Sequence, residues 1–98
     1  MPSYSLNQEA EDDFERLFEY GIDNFGVAKA INYSKGLKNR FSEISENPYH
    51  WQAVDYIRKN YRRSVYRNHS IYYLVENKNT VKIIRILNKE NVQASFEE

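Results

Sequence analysis

No cysteine occurs in the 98 residues. That excludes disulfide staples, thiolate nucleophiles and cysteine–histidine zinc sites. The two histidines, His50 and His69, make a poor metal site by themselves, so no metal is expected. Glycine is scarce: Gly21, Gly26 and Gly36 are too scattered to form a phosphate-cradling loop, and no cofactor is expected. No run of about 18 apolar residues is present, so no segment should span a membrane. The opening Met1-Pro2-Ser3-Tyr4 lacks the basic-then-apolar order of a secretory leader, which leads to the expectation of a cytoplasmic protein. No Ser-His-Asp grouping can be read. Asp12 and Asp13 are adjacent and would not face one another on a helix, so they read as a solvated acidic first turn.

Net charge is also missing, at a formal total of zero, but the total hides an asymmetry. Residues 1–56 carry five Lys/Arg against ten Asp/Glu, and residues 57–90 carry nine against two. Local patches steer partners more than totals do, so the basic half points to an acidic partner. Aromatics make up 15% of the chain and nine residues are tyrosine. Tyrosine has an apolar body and a polar tip, which suits surfaces buried only when a partner arrives. The length predicts one domain over residues 1–98 with a modest core, since so short a chain buries under about 70% of its unfolded surface.

Alternation over Ser3 to Leu6 predicts a short first strand. Asn7 is a good N-cap, and the acidic residues that follow suit a helix N-terminus. Ala10, Phe14, Leu17, Phe18, Ile22 and Phe25 recur at helical spacing, and Gly26 breaks the helix. A second stripe runs through Val27, Ala30, Ile31, Ser34, Leu37, Phe41 and Ile44 until Asn47-Pro48 stops it. Two helices joined at a glycine break predict an antiparallel hairpin, with most of the stripe in the core. Residues 49–59 read as an irregular connection, with Trp51 anchoring one end of the core. Three strands are predicted at about 61–67, 70–76 and 80–87, with turns at Asn68-His69 and Asn77-Lys78-Asn79. The fold class is α+β: a short N-terminal strand and an antiparallel helical hairpin packed on a small antiparallel sheet.

The strands carry arginines among their apolar residues. Arg85 lies between Ile84 and Ile86, and its guanidinium must reach water or an anion because it cannot deprotonate. Strict alternation would put Val81, Ile83, Arg85 and Leu87 on one face, and Lys82, Ile84 and Ile86 on the other. Both faces then hold large aliphatics, which predicts a second face covered in the functional state, as by another chain. Metal-free RNA cleavage would need a base, a cation for the phosphate and an acid. Arg58, Arg62, Arg63, Arg67 and Arg85 could supply cations. The proton carrier would have to be His69, a tyrosine such as Tyr72, or Glu76. His69 reads better as a structural turn residue, and Asn88-Lys89-Glu90-Asn91 adds neither histidine nor tyrosine.

These residues resemble the RelE/ParE toxin superfamily. The resemblance rests on Tyr61-Arg62-Arg63, on His69-Ser70-Ile71-Tyr72-Tyr73 and on Ile84-Arg85-Ile86-Leu87. It extends to Tyr4-Ser5-Leu6 before a helix with Ala10 and Asp13, to Tyr20-Gly21 and Phe25-Gly26, and to Glu46-Asn47-Pro48, a mark of the ParE branch. It covers about residues 3 to 88. One departure is Asn88 after Ile86-Leu87, where ParE-like chains often have histidine.

The resemblance implies a non-catalytic toxin of a type II toxin–antitoxin pair. Such a toxin would inhibit DNA gyrase and be neutralised by a ParD-like antitoxin in a hetero-oligomer. No direct nucleic-acid binding is implied outside a gyrase–DNA complex. Arg58, Arg62, Arg63, Arg67 and Arg85 are the candidates for the surface that meets target or antitoxin. The tail from Asn88 onward is a second candidate. An acidic amphipathic antitoxin segment would lay aliphatic anchors beside Leu17, Phe18 and Ile22. The alternatives are a ribosome-dependent mRNA endonuclease like RelE, using Arg62 and Arg85 for phosphate, and an inactive homologue that only binds antitoxin.

Overall fold

The computed structural model describes residues 2–88. In chain order the elements are β1 (Ser3–Leu6), α1 (Gln8–Phe25), α2 (Val27–Glu46), β2 (Gln52–Ala53), β3 (Arg62–Tyr66), β4 (His69–Asn77) and β5 (Thr80–Asn88). They build one five-stranded sheet in the order β1-β5-β4-β3-β2 with the helical hairpin on one face. The α+β class and the hairpin are as the patterning predicts.

Local chemistry explains the helix ends. The Asn7 side chain accepts from the Ala10 N–H at 2.9 Å, and Glu9 and Glu11 sit in the first turn, where negative charge complements the helix dipole. Gly26 has φ 93°, a region open to glycine and strained for other residues, and its N–H donates to the Ile22 carbonyl at 3.1 Å. One residue therefore stops α1 and starts α2. Gly36 answers a different need. A Cβ there would overlap the Tyr66 hydroxyl, so only glycine lets α2 pass over that ring.

The main core joins Ala10, Leu37, Phe41 and Ile44 of the helices to Ile71, Tyr73, Val81, Ile83 and Ile86 of the sheet. Tyr4 packs edge-on against Phe41 at 5.4 Å between ring centres. Half-buried Trp51 closes one end, as the sequence suggests. The expected stripes are only partly core. Phe25 is 60% exposed and Val27 56%, because the tip of the hairpin overhangs the sheet and none of the described residues covers it.

The sheet departs from the sequence reading in four places. Residues 49–59 are not wholly irregular, since Gln52 and Ala53 pair with Arg63 and Arg62 and add an edge strand. The predicted turn at Asn68-His69 lies one residue earlier: Arg67 takes the positive φ of 54°, and His69 opens β4. The predicted turn at 77–79 keeps Lys78 and Asn79, while Asn77 ends β4. Alternation in β5 breaks at Ile84. Tyr72 pairs with Arg85 but Tyr73 pairs with Ile83, so Ile84 is the extra residue of a bulge. Past it the faces exchange, which puts Ile86 in the main core and Leu87 on the other face.

That other face needs no second chain to cover its centre. Val54, Tyr72 and Leu87 form a second cluster with Ile57 and Tyr61 packed on it. The covering segment is a compact loop after β2. It is held by the Val54 N–H donating to Tyr61 O at 2.8 Å and by Ile57 N–H to Val54 O at 2.8 Å. Both faces of β5 are apolar because both are covered by this chain.

Candidate functional site

The overhang of the hairpin leaves a groove of about 710 Å³ between α1, α2 and one end of the sheet. Its walls include Phe14, Leu17, Phe18 and Phe25, and Leu37 and Ile86 also line it. Lys29, His69 and Arg85 add polar and cationic groups. Leu17 and Phe18, two of the three expected anchor sites, line this groove. Ile22, half-buried on the same helix, is not among the lining residues. An open slot with aromatic walls and cations beside it has the chemistry to take an amphipathic acidic helix.

Arg85 finds its anion inside the fold. Its Nε and Nη2 donate to the two Asp13 oxygens at 2.7 and 3.1 Å. Asp13 Oδ2 also accepts the Ile86 N–H at 3.0 Å, beside the bulge, and Oδ1 accepts from Arg16 at 2.6 Å. The carboxylate is 4% exposed, so the solvated first turn expected of Asp12-Asp13 is corrected: Asp13 is a buried node joining α1 to β5. The Arg85 pKa is raised first by its hydrogen bond to Asp13, against the lowering effect of burial. A sequence signal for Asp13 existed. It falls three residues after Ala10 and four before Leu17, in the middle of the apolar stripe.

His69 sits at the groove's sheet end, with Nδ1 2.7 Å from the Tyr33 hydroxyl. Burial lowers the His69 pKa and pushes the Tyr33 hydroxyl up to about 12, with neighbouring Tyr66 adding to the latter. Both groups are held neutral at pH 7. Tyr72, considered above as a proton carrier, is fully buried under the second cluster. Glu76 is near Lys82 at 3.8 Å on an exposed part of the sheet. His69, Tyr72, Glu76 and Arg85 are therefore not gathered around one open point.

The remaining arginines lie along the β2–β3 edge and its loops. Arg62 donates to the Trp51 carbonyl at 2.6 Å and stacks 4.9 Å over the Tyr49 ring. Arg63 reaches Gln52 at 3.2 Å and the Tyr56 hydroxyl at 3.4 Å, and the hydrogen bond it donates to the Tyr72 oxygen is the main cause of its raised pKa. Arg67 is exposed at the turn and lies 5.7 Å from the Tyr66 ring centre. Arg58 is exposed on the covering loop. Tyr49 and Tyr56 are 68% and 70% exposed. The candidate tail reaches the structure only at Asn88, in the groove lining, and the rest lies outside the described residues.

Sequence reasoning missed Arg40. It lies between the Trp51 and Tyr66 rings at 5.6 and 5.4 Å and donates to Ser64 Oγ at 2.8 Å and Val65 O at 2.9 Å, tying α2 to β3. Like Asp13, it interrupts an apolar stripe, between Leu37 and Ile44.

Comparison with known proteins agrees with this architecture. A model of the family described as "ParE toxin of type II toxin-antitoxin system, parDE" matches residues 4–92. Toxin ParE1 of Caulobacter vibrioides (strain ATCC 19089 / CIP 103742 / CB 15) is 30% identical over 89 residues, covering 91% of each chain. Toxin ParE1 of Mycobacterium tuberculosis (strain ATCC 25618 / H37Rv) is 28% identical over 86 residues, covering 88% of each. Among solved structures, a chain of the "Chromosomal ParDE TA system from P. aeruginosa" superposes with a TM-score of 0.78. It covers 92% of this chain and 98% of that one at 15% identity, a likeness of fold. No helix among the described residues is long and apolar enough to cross a membrane.

Proposed function

The chain belongs to the ParE toxin family of type II toxin–antitoxin systems, and from that premise we propose that it acts in the cytoplasm as an inhibitor of DNA gyrase held in check by a ParD-like antitoxin. The observation that carries the antitoxin half is the open groove, whose aromatic walls and neighbouring Lys29 match an acidic amphipathic helix. Leu17 and Phe18 take its apolar anchors. The arginines of the β2–β3 edge are left for the target.

The toxin works by binding, without bond-making of its own. Arg85 is committed to Asp13, Tyr72 is buried, and His69 is committed to Tyr33 and held neutral, which supports this reading over RNA cleavage. Retained toxicity separates it from an inactive homologue. The test is a gyrase supercoiling and DNA-cleavage assay with the purified protein, with and without its antitoxin. Accumulated cleaved DNA that the antitoxin relieves is the expected result. Unchanged supercoiling and cleavage at high molar excess overturns the proposal.

A further inference from the structure

We infer that the β2–β3 edge with its covering loop is a docking surface for the phosphate backbone of duplex DNA. The inference rests on the gyrase reading, because it assigns this surface to the DNA that gyrase holds. Between Tyr49 and His69 the chain has five cations (Arg58, Lys59, Arg62, Arg63 and Arg67) and one carboxylate, Asp55. Asp55 turns into its own loop, where Oδ1 accepts the Asn60 N–H at 2.6 Å. Among the described residues, no carboxylate lies within ion-pair distance of Arg62, Arg63 or Arg67. Their partners are carbonyls, hydroxyls, an amide and tyrosine rings, which orient a guanidinium without neutralising it.

Size and lining separate this surface from the groove: the concavity beside Arg62 is about 410 Å³ and holds the carboxylates Asp55 and Glu76. An acidic helix needs a slot for its apolar anchors. The apolar groups exposed here are the rings of Tyr49 and Tyr56 and the side chain of Val65, on a strand edge. Oriented cations among flat, hydroxyl-tipped rings suit a phosphate chain, which brings charge and hydrogen-bond acceptors but no anchors. From Arg62 to Tyr66 the strand spans about 13 Å, with Arg67 in the turn beyond it, and a duplex presents one charge per about 1.7 Å of axis. Several phosphates are thus in reach of one edge. The contacts read no base edges, so the binding is independent of sequence.

The experiment is fluorescence anisotropy with a labelled duplex of about 20 base pairs, titrated with purified toxin from about 50 to 200 mM salt. The expected result is binding whose log affinity falls with log salt by about 0.9 per phosphate contact. The variant Lys59→Ala/Arg63→Ala/Arg67→Ala should flatten that slope by about 2 to 3 and weaken binding at least about tenfold at low salt. It should melt like the wild type and keep its affinity for antitoxin, which separates loss of the surface from loss of the fold. Absence of salt-dependent duplex binding by the folded wild type overturns the inference, whatever gyrase does. An unchanged slope in the triple variant overturns it too, as does a variant that loses antitoxin but keeps duplex, since the edge would then dock protein. Trapped gyrase complexes without duplex binding leave the gyrase reading standing and the DNA surface refuted. Salt-dependent duplex binding without any effect on gyrase does the reverse.

Discussion

Arg85 and Arg63 flank the same tyrosine. Tyr72 pairs with Arg63 on β3 and with Arg85 on β5. Their environments differ. Arg85 is clamped by both oxygens of buried Asp13 and forms part of a groove wall. Arg63 is held by neutral groups and keeps its charge available. A strand arginine can be a bolt or a hook, and the carboxylate opposite decides which. The groove is the more apolar of the two surfaces and sits beside the bolt. The edge has a smaller concavity, about 410 Å³ beside Arg62, and its arginines pair with neutral groups.

The largest expected effect breaks the bolt. Asp13→Ala leaves Arg85 and the Ile86 N–H without their acceptor and should cost about 3–5 kcal/mol. In a domain of this size that lowers the melting temperature by more than about 10 °C. Arg63→Ala, read in the same denaturation experiment, should shift stability by no more than about 1 kcal/mol. Similar losses for the two would erase the contrast. Next comes the groove. Phe18→Ala should weaken antitoxin binding by about thirtyfold, as for a central anchor worth about 2 kcal/mol, while gyrase trapping stays unchanged. Calorimetry or surface-bound antitoxin reads the first, and the cleavage assay the second.

A smaller effect concerns the side of the edge nearest α2. Gly36→Ala pushes the Tyr66 ring out of its seat and should destabilise by about 1–2 kcal/mol, because overpacking outweighs the gain in helix propensity. Adding Tyr66→Phe removes the overlapping hydroxyl but leaves the ring carbon beside it at 2.8 Å from the new Cβ, so it should recover only part of the loss. A double variant no better than the single one would place the strain elsewhere. The smallest effect is on pH. Burial depresses the His69 pKa in the fold, so the neutral ring is favoured there. Its contribution is intact above the ordinary value of 6.5 and is lost as pH falls through the lowered folded value. Stability should therefore decline between pH 7 and 5, less so in His69→Gln. Equal slopes in urea melts at the two pH values would remove His69 from the account.

Much of this was legible in the chain. Asn7, the stripe beginning at Ala10, Gly26 and Asn47-Pro48 mark the helices through local propensities that act within a few residues. Leu17 and Phe18 line the groove, and Ile22 on the same helix does not. The same helical spacing serves residues that line an overhang and residues that point past it. Val27 and Phe25 looked like core for the same reason. Periodicity gives a helix an apolar face but does not say how far the neighbouring sheet extends under it. The short β2 was invisible because two residues carry no alternation to read.

The sequence by itself determined the α+β class, the hairpin, the three long strands and the charge split, because each follows from spacing and composition along the chain. Only the tertiary structure decided which arginines are spent. Asp13 and Arg85 are 72 residues apart, and a bulge at Ile84 that no local pattern announces brings them together. The partner of a charge is a matter of distance in space, and that distance exists only once helix and strand have packed.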